Sequence, residues 1–155
     1  MELRQRIDAA LKQAMREREA VRLSTLRLIT AAIKDRDIAW RAKGGDAADS
    51  GVDSEGILEI LGKMVKQRQE SARAYEEGGR VELAERERAE ISVIEEFLPR
   101  QLDGAETEAA VEAAIAETGA TSIRDMGKVM GNLKARYAGR MDFGVVGPKV
   151  RERLG

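Results

Sequence analysis

Phe97-Leu98-Pro99-Arg100-Gln101-Leu102 decides how this chain folds. Upstream of it, apolar residues recur at helical spacing as far as Phe97 and Leu98. Pro99 has no backbone N–H, and its ring clashes with the carbonyl four residues back, so a helix arriving from the N-terminal side stops there. Downstream, the apolar periods are shorter and the glycines more frequent. The segment 99–104 therefore reads as a linker between an N-terminal helical domain, 1–98, and a C-terminal domain, 105–155.

In the first part Leu3, Ile7, Leu11 and Met15 are spaced by four, with Ala10 and Ala14 filling the stripe of an amphipathic helix. A second helix carries Leu23, Leu26, Ile29, Ile33 and Trp40, with its start near Glu19–Ala20. The run 44–51, rich in glycine and aspartate, reads as a loop. Asp53 or Ser54 then caps a third helix with a stripe of Ile57, Leu61, Met64, Arg68, Ala72 and Tyr75. Gly78-Gly79 ends it. Leu83, Ala84, Ile91, Ile94, Phe97 and Leu98 mark a fourth.

Past Pro99 three shorter helices are expected. The first covers about 107–117 with Val111, Ala114 and Ile115 inward. The second opens on the capping box Ser122-Ile123-Arg124-Asp125 and carries Met126, Val129, Met130, Leu133 and Tyr137. The third covers about 142–154 with Phe143, Val146, Val150 and Leu154. No segment alternates with a strand's period. The expected fold is all-α: about four helices, then a small three-helix bundle.

Composition narrows the chemistry. The 155 residues include no Cys and no His, with 43% hydrophobic, 35% charged and only 3% aromatic. Disulfides, thiolate sites and thiol nucleophiles are excluded. The commonest general base and transition-metal ligand is missing. Adjacent carboxylates such as Glu76-Glu77 or Glu95-Glu96 point about 100° apart on a helix, so we expect no metal site, and no cofactor. No apolar run is long enough for a membrane span. Met1 to Arg6 lacks a signal peptide's apolar core, which predicts a cytoplasmic protein.

The net charge is −1, but it is unevenly placed. Residues 1–98 hold 18 Lys/Arg against 20 Asp/Glu, 99–118 hold 1 against 5, and 119–155 hold 8 against 3. Within the basic end lies Asp125-Met126-Gly127-Lys128-Val129-Met130-Gly131. Two glycines four apart each cost a helix interior about 0.8–1 kcal/mol relative to alanine. Such a pair calls for a smooth face that another backbone approaches, either a neighbouring helix or a nucleic-acid strand. In the second reading Gly127 and Gly131 admit the strand while Lys128, Lys134, Arg136 and Arg140 contact phosphates. Tyr137 is the one aromatic nearby, suited to core packing or to stacking on a base.

Three features together resemble the GatB/YqeY family. They are Leu26-Arg27-Leu28-Ile29 with Ala32-Ile33-Lys34, the stretch 97–102, and the stretch 125–131. The resemblance covers nearly the whole chain. It implies an all-helical bacterial protein whose C-terminal part is similar to the tail domain of the B subunit of glutamyl/aspartyl-tRNA amidotransferase, where the tail helps hold tRNA. It also brings the activity label carbon–nitrogen ligase with glutamine as amido-N donor. The residues for that chemistry are not found here: there is no Cys, no serine in a Gly/Ser-rich amidase context and no phosphate-binding glycine loop. The reading that follows is a non-catalytic accessory protein that binds tRNA. The alternative is a protein-interaction module whose N-terminal helices dock on an amidotransferase subunit or another enzyme.

Overall fold

A computed structural model describes residues 2–44 and 51–155. The loop expected at 44–51 thus falls mostly outside the described residues. Among the described residues there are seven α-helices, one 3-10 turn and no strand: α1 (Leu3–Glu17), α2 (Ala20–Ala42), α3 (Ser54–Glu77), α4 (Val81–Glu95), α5 (Gly104–Thr118), the 3-10 turn Ile123–Asp125, α6 (Met126–Tyr137) and α7 (Phe143–Leu154). The chain is all-α. It divides into two compact units, Met1–Leu98 and Pro99–Gly155.

In the first unit α1–α4 bury an aliphatic core that includes Ile7, Leu26, Ile29, Ile57, Leu61 and Ile94. The inward stripe of α1 differs from the four-residue spacing in one respect. Leu3, Ile7, Ala10 and Ala14 are buried, while Met15 is 52% exposed. Each step of four overshoots a full turn by about 40°, so Met15 lies about 120° from Leu3, whereas Ala14 lies about 20° from it. Arg18 takes a left-handed conformation, φ 55°, and Glu19 then starts α2.

Two local devices shape this unit. Arg4 donates to both oxygens of Asp37 at 3.0 and 3.1 Å and to the Val52 carbonyl at 2.8 Å, while the Val52 N–H donates to Asp37 at 2.8 Å. The chain is thereby held against α1 and α2 just before Asp53 caps α3 through the Gly56 N–H. Gly51, at φ +92°, sits so close that a Cβ there would meet Asp37 Oδ1 at 2.2 Å. At the α3–α4 turn Gly79 is left-handed, φ 75°, and the Arg80 N–H bonds Tyr75 O at 2.7 Å. Arg68, placed by its spacing on the inward stripe of α3, is half-buried and pairs there with Glu90 of α4 at 2.9 Å.

The second unit packs α5–α7 around Val111, Ala114, Val129, Leu133, Val146 and Val150. Residues 99–103 fold onto it. The Leu102 N–H donates to Arg140 O at 2.9 Å, and Arg140 Nε donates to Arg100 O at 3.0 Å. Asp103 caps α5 through the Glu106 N–H at 2.7 Å, with Glu106 reaching back to the Asp103 N–H at 3.2 Å. Gly119, left-handed at φ 68°, closes α5. The capping box at Ser122 forms, but it caps the 3-10 turn that leads into α6. Pro148 lies inside α7, where the missing N–H and the ring weaken the helix. Packing of Val146, Gly147 and Val150 into the core holds α7 together regardless.

Candidate nucleic-acid interface

The site is built on α6, whose two faces separate cleanly. Each residue turns about 100° around the axis. Counted from Gly127, Gly131 lies at about 40°, Lys134 about 20° to the other side, Ala135 at about 80° and Lys128 at about 100°. All five are exposed. Val129 and Leu133 lie at about 200° and 240° and are fully buried. Gly127, Lys128, Gly131 and Lys134 therefore share the face that points away from the bundle.

The glycine pair does not serve packing inside this unit. A Cβ built on Gly127 or on Gly131 meets no described residue within 4 Å. The buried glycine is Gly147 on α7, whose Cβ would reach the Met126 methyl at 3.9 Å. Of the two readings of the pair, a neighbouring helix of this unit is thus not the backbone that approaches it.

Arg136 and Arg140 stand apart from the other four. Arg136, at about 180°, turns to the edge of α6 and pairs with Glu117 of α5 at 2.8 Å. Arg140 follows the helix, bonds the Arg100 carbonyl and lies over the Tyr137 ring with its guanidinium carbon 5.8 Å from the centroid. Tyr137 itself is half-buried and packs against the second core.

Electrostatics sorts the cations further. The acidic helix α5 and the basic end that follows it are not segregated in space. Glu108 pairs with Lys149 at 3.2 Å and with Arg153, Glu112 pairs with Arg153 at 2.8 Å, and Glu106 holds Arg100 through two bonds at 2.9 and 2.7 Å. The Arg100 guanidinium, with help from the Asp103 N–H, pulls the Glu106 carboxyl down to about 2. By contrast Arg124, Lys128 and Lys134 make no ion pair among the described residues. Lys134 stands 6.0 Å from the Phe143 ring centroid. Asp125 is held below the usual carboxylate range mainly by the Thr121 N–H, with the Ser122 N–H and the Lys128 charge adding to it. Arg124 is the residue that the sequence reading left out of the site. It is exposed and lies in the 3-10 turn that leads into α6, three residues before Gly127.

No group of three or more carboxylates among the described residues is placed to hold a metal ion. What α6 offers is a flat strip of two glycines and an alanine with ammonium and guanidinium groups beside it. Such a strip can bind phosphate oxygens and let a sugar–phosphate backbone come close.

A family model described as "Yqey-like protein" matches residues 4–154. The chain belongs to the YqeY family. Relatives among curated proteins include three fungal ones, each named "Altered inheritance of mitochondria protein 41, mitochondrial". The one from Meyerozyma guilliermondii is 36% identical over 88 residues, 57% of this chain and 42% of the relative. That from Clavispora lusitaniae is 36% identical over 89 residues, 57% of this chain and 46% of the relative. That from Eremothecium gossypii is 30% identical over 88 residues, 57% and 44%. The match thus spans less than half the length of these relatives. Their names place those proteins in mitochondria. In this YqeY family member, no helix among the described residues is long and apolar enough to cross a membrane.

Proposed function

We propose that this YqeY family protein is a non-catalytic accessory to tRNA-dependent amidation and that it binds tRNA through the outward face of α6. The C-terminal domain, 105–155, does the binding, and the N-terminal domain, 1–98, is left for other contacts. A bacterial, cytoplasmic setting goes with this reading. The ligase chemistry of the family label belongs to a partner, because this chain carries no Cys, no His and no amidase serine context.

One observation carries the reading. Gly131, inside α6, costs that helix about 0.8–1 kcal/mol relative to alanine, and Gly127 in its first turn adds less, while no described residue lies where their side chains would be. A cost with no return inside the fold is accounted for when a partner's backbone uses that face. Lys128, Lys134 and Arg124 beside it set the partner's charge. Binding of this kind is salt-sensitive and weakly sequence-specific.

The test is filter binding of total tRNA at two salt concentrations with the wild type and the Lys128→Glu/Lys134→Glu variant. We expect the variant to lose binding and to keep its helical circular dichroism. Undiminished binding by the variant removes α6 from the interface. Glutamine hydrolysis by the purified protein, free of other subunits, would overturn the non-catalytic part.

A further inference from the structure

We infer that the outward face of α2 is a coiled-coil seam that docks an acidic amphipathic helix of a partner protein. This inference is independent of the tRNA reading, which concerns α6 alone.

The inward face of α2 buries Thr25, Leu26, Ile29 and Ile33. A second pattern runs along the opposite face with a strict seven-residue period. Val21, Leu28, Asp35 and Ala42 occupy one position of the heptad, Ser24, Ala31 and Ile38 the position three residues on, and Arg27, Lys34 and Arg41 the flank. All ten are exposed. Leu28 is 47% and Ile38 57% exposed, and these are the two largest side chains of the seam. The row of cations runs about 21 Å, with successive charges about 10 Å apart. These are the a, d and g positions of a two-stranded coiled coil, in which the flanking charges choose the partner.

Arg27 and Lys34 make no ion pair among the described residues. The other carboxylate of α2, Asp37, is taken by Arg4. Asp35 is thus the single acid on the seam, a polar core position that fixes register by asking for a cation opposite. A second copy of this chain cannot supply the complement. In an antiparallel pair the cation rows face each other, and in a parallel pair they face uncharged positions, Ala32, Ala39 and the buried Thr25. Small residues at Ser24 and Ala31 let a helix approach closely, and Leu28 and Ile38 have no counterpart on a nucleic-acid backbone. The occupant that fits carries aliphatic residues every three and four positions, Glu or Asp along its flank and one Lys or Arg near its middle.

The probe is a fluorescein-labelled synthetic peptide of three heptads, with Leu at a and d, one Lys at the central a and Glu at e and g. Its control has Lys at e and g. Fluorescence anisotropy with the full-length protein should show binding of the Glu peptide that weakens with salt and no binding of the Lys peptide. Amide shifts in 15N spectra should cluster at 21–42. The Arg27→Glu/Lys34→Glu/Arg41→Glu variant should lose about tenfold or more in affinity for the Glu peptide and gain the Lys peptide. Leu28→Ser/Ile38→Ser should weaken the Glu peptide alike, while Lys128→Glu/Lys134→Glu should not. Equal binding of both peptides, no binding of either, or shifts centred outside α2 would overturn the assignment. So would shifts at 21–42 produced by tRNA or by anionic phosphatidylglycerol vesicles and not by the Glu peptide, and so would self-association lost on Leu28→Ser/Ile38→Ser.

Discussion

Two sets of cations in the second unit differ in what holds them. Lys149, Arg153 and Arg136 reach back across the bundle to Glu108, Glu112 and Glu117 of α5. Lys128 and Lys134 of α6 face away from α5, and with Arg124 they form no such pair among the described residues. Both sets come from the same basic stretch of sequence. The first set neutralises the acidic helix next to it and does structural work. The second keeps its charge available near two glycines that no described residue covers. Net charge counted along a chain cannot tell these apart, because the helical turn decides which cations meet the acids.

The contrast can be broken hardest from the inside. Leu133 is fully buried on the face of α6 opposite the glycines. Leu133→Ala should cost about 2–5 kcal/mol of stability, read as a drop in the urea midpoint of the second unit. A loss below about 1 kcal/mol would mean that α6 is not anchored by this face.

Next in size is the glycine pair, where stability and binding should move in opposite directions. Gly127→Ala/Gly131→Ala puts methyl groups where no described residue lies within 4 Å and should raise stability by about 1–2 kcal/mol. The same variant should weaken tRNA binding, a trade expected where a fold keeps a costly feature for a partner. Higher stability with unchanged binding would leave the glycines without a functional account. A smaller effect of the same kind sits at Arg18, whose left-handed backbone is relieved by Arg18→Gly. We expect about 0.5–1 kcal/mol of added stability there, read from the thermal midpoint.

Much of this arrangement was legible from the residues. Asp53 caps its helix, Gly79 and Gly119 close theirs, and Ser122 opens a capping box, because each of these depends on local chemistry. The buried stripes of α2 and α3 follow the same logic, except that Trp40, at the end of the α2 stripe, is 46% exposed. Two things were not legible. Met15 was placed inward because a spacing of four looks continuous over one turn, and its drift of about 40° per step shows only over three. Arg136 and Arg140 were grouped with Lys128 and Lys134 because all four are close in sequence. Counting helical turns from Gly127 already moves Arg136 to the far side. Its pairing with Glu117, 19 residues earlier, needed the tertiary fold.

The paired set should respond weakly to mutation and visibly to acid. Arg136 and Glu117 are each about half exposed, so Arg136→Gln should change stability by only a few tenths of a kcal/mol and leave tRNA binding as it is. Acid reaches two carboxylates of α5 that its cationic neighbours hold low. Glu106 is held at about 2 by Arg100, and Glu108 is lowered by Lys149 first and by Arg153. A carboxylate whose folded value lies below its unfolded one adds stability above the unfolded value, near 4.5, and that contribution disappears as pH falls toward the folded one. The second unit should therefore weaken between about pH 4.5 and pH 2, followed by circular dichroism during urea titration at a series of pH values. The Glu108→Gln variant should show a shallower slope over that interval, since the titrating partner of Lys149 and Arg153 is gone. If wild type and variant fall together, the paired cations are no more engaged than those of α6, and the distinction between the two sets fails.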